Sequence, residues 1–357
     1  MNFDTDIAVI GGGVAGLTAA WQLAATGRHL TLFEARSRLG GRVLAAATPL
    51  AGTPSVDLGP AWFWPHQHVV RRLVDQFGLS VVPQYHEGLA MYEAGRGEAP
   101  EAFDASAQSS PAFRLTGGIA SLVGALASYM QAASPPVDIR LNAPLQSLEQ
   151  QRDGIILRGY GFSCRASRVV LALPPRVVAR DLSWTPPLPD GVREILTNTV
   201  TWMGHAMKCV VSYDAPFWRH LGRSGYAVSW RGPLQEIHDA CTPAGTSHRA
   251  GYALMGFASP RTTPAAIAFR EGTTDERQAA VLAQLVRLFG AGASDAIDYA
   301  EYDWSRDVHS SGVHDDQPPA AHPAYGHPLF EGRFDKPSWD SRLVWAGAET
   351  SDRKSVV

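Results

Sequence analysis

A run of apolar residues near the start, residues 6–10 (DIAVI), reads as a short buried strand and leads directly into Gly11-Gly12-Gly13. The spacing then becomes helical over residues 14–25, with Leu17, Ala20, Trp21 and Ala24 on one side, and Gly27 stops it. Residues 29–33 form a second predicted strand, with Glu34 at its C-terminal end. Strand, turn, helix and strand within about 30 residues is the minimum for a parallel crossover. Further along, the pattern predicts helices over 69–77, 119–130 and 276–289. It predicts strands over 138–141, 145–150, 154–157, 168–173, 206–213, 227–230, 253–258 and 343–345. Residues 93–111 and 315–328 are polar or rich in Pro and His and read as loops.

The length of 357 residues suggests about two domains, each able to bury a core. With 31 Lys+Arg against 34 Asp+Glu, the charge argues against a general nucleic-acid binder. Cys164, Cys209 and Cys241 are few and widely spaced, so neither a disulfide framework nor a metal site is expected. The start lacks a basic n-region, and no segment is long enough to span a bilayer without a charge or breaker. The expectation is a soluble, cytoplasmic chain without membrane or nucleic-acid partners. Lysines are rare, namely Lys208, Lys336 and Lys354, so the position of each carries information.

Gly11-Gly12-Gly13-Val14-Ala15-Gly16 satisfies G-x-G-x-x-G between a strand and a helix. Gly11 allows the tight turn, Gly13 lets a pyrophosphate approach the backbone, and Gly16 lets the helix pack close to the strand. Free amides and the positive end of the helix dipole then face the phosphates. Glu34 ends the second strand, where a carboxylate accepts bonds from both ribose hydroxyls and repels a 2′-phosphate.

After this the chain reads EARSRLGGRV. Glu34, Arg36, Arg38, Gly40, Gly41 and Arg42 together resemble the E-A-R-x-R-x-G-G-R signature of the flavin-containing amine oxidases, the monoamine and polyamine oxidases. The resemblance implies FAD, with cofactor contacts at Gly11, Gly13, Val14, Ala15, Gly16, Glu34, Ala35, Arg36, Gly41 and Arg42. Arg42 would offer its planar fork to the pyrophosphate, while Arg38 reads as a surface salt bridge. The implied fold is α/β: a Rossmann-like, glutathione-reductase-type FAD domain with a second, mixed-sheet α+β substrate domain. Its segments would be 1–75, 136–185 and 311–357 for FAD, and 76–135 and 186–310 for substrate.

The resemblance continues along most of the chain. VDLGPAW (56–62) is similar to the family's D-x-G-x-x-W segment beside the flavin ring, implying contacts at Gly59, Pro60 and Ala61 and a cavity wall at Trp62. FRLTGGIASL (113–122) and VVLALPP (169–175) also have counterparts, and LNAPL (141–145) implies an adenine contact at Leu145. MKCVVSYDAPFW (207–218) resembles the K-to-P-F-W segment whose lysine faces flavin N5 through a water, which makes Lys208 the catalytic candidate. An apolar strand is a costly place for a Lys without such a task. LVWAGAET (343–350) is similar to F-A-G-x-E-T and implies contacts at Gly347 and Glu349.

Two places depart from the family pattern. In WSRDVHSSGVH (304–314), Val313 stands where the mammalian monoamine oxidases carry a flavin-linked Cys, implying non-covalent FAD. His314 stands where they carry an aromatic-cage Tyr, and with Trp62 and Trp202 it is a candidate for the substrate wall. The family's G-Y-x-x-G-A helix has no counterpart in residues 351–357, so the C-terminus reads as truncated.

The expected activity is oxidation of a small-molecule amine to an imine by hydride transfer to flavin N5, with O2 as acceptor giving H2O2. The alternatives are a flavoprotein acting on a non-amine, and an inactive flavin-binding remnant. Trp62 or Trp339, if exposed, would serve a homodimer interface.

Overall fold

The computed structural model describes residues 2–350 apart from 96, 106–110, 190, 246–248, 322, 324, 327–338 and 340–341. An eight-stranded sheet runs in the order Ser183–Thr185, Leu145–Gln151, Gly154–Gly159, Phe162–Leu171, Asn2–Ile10, Leu30–Phe33, Asp138–Arg140. Leu343–Trp345 pairs with Phe162–Leu171 as well. Asn2–Ile10 lies between Phe162–Leu171 and Leu30–Phe33 and is parallel to both. Ala8, Val9, Ile10, Leu32, Val169 and Leu171 are buried there, as expected of a parallel sheet covered on both faces.

Helices Val14–Ala24 and Ala120–Ala132 cover one face through Leu17, Ala20, Leu122, Leu126 and Met130. Val178 and Leu196, on helices Pro175–Asp181 and Val192–Asn198, pack the opposite cluster with Leu148, Ile155 and Trp345.

A second, seven-stranded sheet has the order Asp298–Asp303, Met207–Tyr213, Tyr252–Ala258, Leu234–Asp239, Arg223–Ser229, Leu89–Glu93, Glu101–Phe103. Every residue of Met207–Tyr213 is buried, Lys208 included. The helix Thr274–Phe289 packs Val281, Leu285, Leu288 and Phe289 against this sheet. A smaller cluster of Val56, Leu58, Ala61, Val210, Ala253 and Met255 joins the segment after the glycine turns to the second sheet.

The helix Thr274–Phe289 starts on a capping box: the Thr273 hydroxyl accepts from the Glu276 amide, and the Glu276 carboxylate accepts from the Thr273 amide. Thr273→Ala is expected to lower stability by about 1 kcal/mol. Urea unfolding measures this, and the cofactor spectrum should stay as in the wild type.

Several elements depart from the pattern-based expectation. Residues 93–111 are not simply a loop, because Leu89–Glu93 and Glu101–Phe103 form the edge of the second sheet. There the fully buried Glu93 accepts from the Ser229 hydroxyl at 2.7 Å and from Arg287 at 3.1 Å. The strands Leu234–Asp239 and Asp298–Asp303 were not expected. Trp62 is half-buried in the cavity wall and Trp339 only 6% exposed, so neither is the fully exposed aromatic expected of a homodimer contact. Residues 351–357, where the truncated terminus was read, lie outside the described residues.

Candidate functional site

Where the first strand ends, Gly11 has φ +104°, and a Cβ there would stand 2.5 Å from the Ala172 carbonyl oxygen. Only glycine suits that conformation and that approach. The first helical bond runs from the Leu17 amide to the Gly13 carbonyl at 2.9 Å. The amides of Val14 and Ala15 therefore have no partner within the helix. A Cβ on Gly13 would meet nothing nearer than the Gly41 Cα at 3.9 Å, so Gly13 faces open space. Gly16 is different: a Cβ there would collide with the Gly11 carbonyl, so it serves packing of helix on strand.

Glu34, 3% exposed, accepts from the Gly12 amide at 2.7 Å and from the Arg36 amide at 2.9 Å. One carboxylate thus ties the glycine turn to the end of the second strand. The Arg36 guanidinium crosses to the loop after the second sheet, donating to Asp307 at 2.5 Å and Ser310 at 2.8 Å. Arg38 is not the expected surface ion pair. It donates to the carbonyls of Leu39, Gly41 and Val43, which holds the Gly-Gly-Arg turn closed from within.

Arg42 grips Glu349 with both terminal nitrogens, at 2.5 and 3.0 Å, and donates to the Trp202 carbonyl at 2.9 Å. Glu349 is buried and also accepts from the Trp202 amide at 2.9 Å. Burial alone would lower the Arg42 pKa, but the Glu349 carboxylate outweighs it and raises it. This fork joins three distant stretches of chain at one point.

These residues line one cavity of about 1470 Å³. That exceeds the roughly 300–1,000 Å³ of an ordinary small-molecule site. The wall includes Gly11, Gly13, Val14, Ala15, Glu34, Ala35, Arg36, Gly41 and Arg42. Gly59, Pro60, Ala61, Trp62, Leu145, Trp202, Lys208, Gly347 and Glu349 line it as well. Gly16 does not line it.

Neither does His314. That side chain is exposed, in a left-handed turn at φ 69°, and Val313 beside it is 62% exposed. The expectation that His314 walls the substrate end is corrected accordingly. The loop turns so that His309 and Ser310 reach the cavity instead.

Lys208 is 1% exposed, and its Nζ donates to the Gly59 carbonyl at 3.0 Å. The rings of Trp62 and Phe257 each lie 5.8 Å from the ammonium. Burial pushes its pKa down to about 7, with Asp57 acting upward and Arg114 downward.

Past Trp62 the wall turns polar. Glu236 and His238, on Leu234–Asp239, pair at 3.0 Å between Oε1 and Nε2. His238 packs edge-on against Trp62 at 4.7 Å and beside Tyr226 at 5.1 Å. Gln84 accepts from the Trp62 indole at 2.6 Å. The His86 Nε2 is buried with no partner among the described residues. Burial, then the proximity of His238, lowers the His86 pKa. None of these polar residues was singled out from the sequence.

No group of three or more His, Cys, Asp or Glu that could hold a metal ion occurs among the described residues. Among them, no helix is long and apolar enough to cross a membrane.

A parallel βαβ turn with its acidic residue, opening into a cavity shared with a second sheet, is the arrangement of a dinucleotide-binding protein. Residues 96–355 match the family model described as flavin containing amine oxidoreductase, and residues 9–77 match an NAD(P)-binding Rossmann-like domain. The chain belongs to the flavin-containing amine oxidoreductase family and is an FAD-dependent enzyme of that family.

A putative flavin-containing monoamine oxidase of Mycobacterium tuberculosis is 25% identical over 443 residues, covering 97% of this chain and 92% of the relative. A putrescine oxidase of Kocuria rosea is 22% identical over 87% of this chain and 84% of the relative. Among solved structures, a putrescine oxidase mutant superposes with TM-score 0.78 at 20% identity, covering 100% of this chain and 95% of that one. A cyclohexylamine oxidase from Brevibacterium oxydans gives TM-score 0.76 at 18% identity, covering 99% and 95%.

Proposed function

We infer that the chain oxidises an amine to an imine in this cavity, with FAD at the glycine-turn end and the amine at the Trp62 end. The observation that carries the reading is that Lys208, buried in an apolar strand, opens into the same cavity as the dinucleotide turn.

The residues suit FAD. The open space at Gly13 leaves room for a pyrophosphate at the start of the helix, where Val14 and Ala15 line the cavity. In this reading Gly11, Gly13, Val14 and Ala15 hold the pyrophosphate. Glu34, Ala35, Arg36 and Leu145 take the adenosine end. Gly41, Arg42, Gly347 and Glu349 flank the middle, and Gly59, Pro60 and Ala61 the ring. When bound there, FAD would supply two-electron acceptor chemistry for the amine's α carbon–hydrogen bond, with O2 as the final acceptor giving H2O2. Lys208 supplies a positive charge held ready in a dry site. Trp62 and the neighbouring rings exclude water and orient the substrate.

None of the three cysteines lines the cavity, which supports non-covalent FAD. Acid precipitation should leave the pellet colourless and the supernatant yellow. The same reading takes 1–75, 136–185 and 311–357 as FAD segments and 76–135 and 186–310 as substrate segments, except that helices Ala120–Ala132 and Val192–Asn198 pack on the first sheet and go with the FAD part.

The polar wall supports an amine with a second positive charge as substrate. Glu236 is the carboxylate of the substrate end; its partner among the described residues is His238, and its side chain is 48% exposed to solvent space. The other cavity carboxylates, Glu34, Glu349 and Asp181, are each engaged by an arginine. Removing a charged hydrogen bond costs about 1.5–3 kcal/mol. Glu236→Gln is therefore expected to raise KM for a diamine by about tenfold or more. A monoamine of equal length should change little. Steady H2O2 release from a panel of amines tests the activity, and no release from any of them would sink it.

A further inference from the structure

Three charges are buried at and behind the cavity wall, near enough to act on one another: Lys208 at 1% exposure, Asp57 at 5% and Arg114 at 6%. Asp57 and Arg114 do not line the cavity, so neither touches cofactor or substrate. Asp57 sits two residues before Gly59, whose carbonyl accepts the Lys208 ammonium. Its Oδ1 accepts from the Ile119 amide at 3.1 Å. The backbone is shaped around this carboxylate: Gly118 is left-handed at φ 71°, and a Cβ there would stand 2.8 Å from Asp57 Oδ1.

Arg114 reaches in from Phe113–Leu115 and donates to the Cys241 carbonyl at 2.8 Å, while its Nε is buried without a partner among the described residues. The two carboxylates that act on it are Asp57 and Asp239. Asp239 is already engaged by Arg219 through two contacts of 2.8 Å and by the Trp218 indole at 2.8 Å. Arg114 and Lys208 thus depend on one carboxylate, Asp57. Burying an incompletely paired guanidinium costs several kcal/mol, an expense that packing alone does not explain.

The other neighbours of Lys208 are uncharged. Phe257 and Tyr302 flank it across the sheet, and the Tyr302 hydroxyl is spent on Asp307 at 2.6 Å. The 57–62 segment adds Trp62.

We propose that Asp57 and Arg114 are positioning residues for Lys208, a carboxylate and a guanidinium that set the charge of its amine in opposite directions from behind the cavity wall. This rests on the role given above to Lys208. Burial does most to lower the lysine toward neutrality; on top of that the carboxylate favours the ammonium and the guanidinium disfavours it, so the pair adjusts where the amine titrates.

The chain has three lysines, so holoenzyme grown with ε-13C-lysine gives few signals, and the Lys208 signal is identified by its loss in Lys208→Met. In the wild type its titration midpoint is expected near 7. Asp57→Asn, which keeps the bond from the Ile119 amide, should lower the midpoint by about one pH unit or more. Arg114→Met should raise it by a similar amount, and Arg114→Lys should restore it.

A wild-type midpoint near the ordinary value of about 10.4 would overturn the proposal. So would variants that lose thermal stability while the midpoint stays put. Asp57→Asn and Arg114→Met move the midpoint in opposite directions, so either variant alone tests the coupling where the other fails to fold. If the midpoints move as stated but Lys208→Met reacts with O2 as fast as the wild type, the role of Lys208 fails while the charge coupling stands.

Discussion

Lys208→Met is expected to slow the return of substrate-reduced enzyme to its oxidised colour in air by about 100-fold, the usual cost of removing one positioned charge-stabilising group. Reduction by the amine under nitrogen should change far less, because the role proposed for the residue's positive charge falls in the step with oxygen. Methionine fills much of the same volume in an apolar strand whose seven residues are all buried, so the fold is retained.

The pH dependence separates this from a packing effect. Burial holds the Lys208 pKa near 7, against about 10.4 for a free lysine. The wild-type rate of reoxidation should therefore fall as pH rises through about 7, and the variant should lose that step. The folded chain also binds fewer protons than the unfolded chain between about pH 7 and 10.4, so this residue makes stability rise with pH across that window. Lys208→Met removes that slope. Stopped-flow absorbance and thermal unfolding at several pH values read both effects.

Gly13→Leu should lose its flavin yet remain folded. A Cβ at Gly13 meets no atom closer than 3.9 Å, and φ is −74°, an angle any residue adopts. The side chain grows into the cavity beside the amides of Val14 and Ala15. Flavin content after gel filtration is expected to drop at least about tenfold, with the unfolding temperature of the apoprotein unchanged. Gly16→Leu is the contrasting case. There the Cβ strikes the Gly11 carbonyl, so the first strand and helix cannot pack and the protein should fail to fold. Circular dichroism distinguishes a folded chain without flavin from an unfolded one.

The first crossover was legible because its signals are local. DIAVI, the three glycines, the helical spacing and Glu34 occupy about thirty residues and agree with one another. The position of Lys208 was legible for a different reason: one lysine in an apolar run has few bland explanations.

What stayed hidden depends on long-range pairing. The strand Leu234–Asp239 has a register shift between Leu234 and Glu236. That irregularity breaks the two-residue alternation, so LQEIHD does not read as a strand, and Glu236 and His238 went unnoticed. Asp298–Asp303 reads as polar because its residues are all half-buried at a sheet edge. Glu93 was read as the start of a polar tract because its charge is paired by Arg287 and hydrogen-bonded by Ser229, both far away in sequence.

His314 was misread because the chain turns at its left-handed backbone, directing His309 and Ser310 to the cavity instead. Arg38 was misread because donating to three carbonyls of its own turn leaves no sequence signature.

The central claim is that one cavity holds FAD at its glycine end and a doubly charged amine at its Glu236 end. The direct measurement is anaerobic titration of the purified yellow protein with a short diamine, followed by its visible spectrum. The flavin band should bleach fully with about one equivalent of diamine per flavin, since each oxidation carries two electrons, and recover when air is admitted. Flavin that stays oxidised with diamines and monoamines alike would contradict the account.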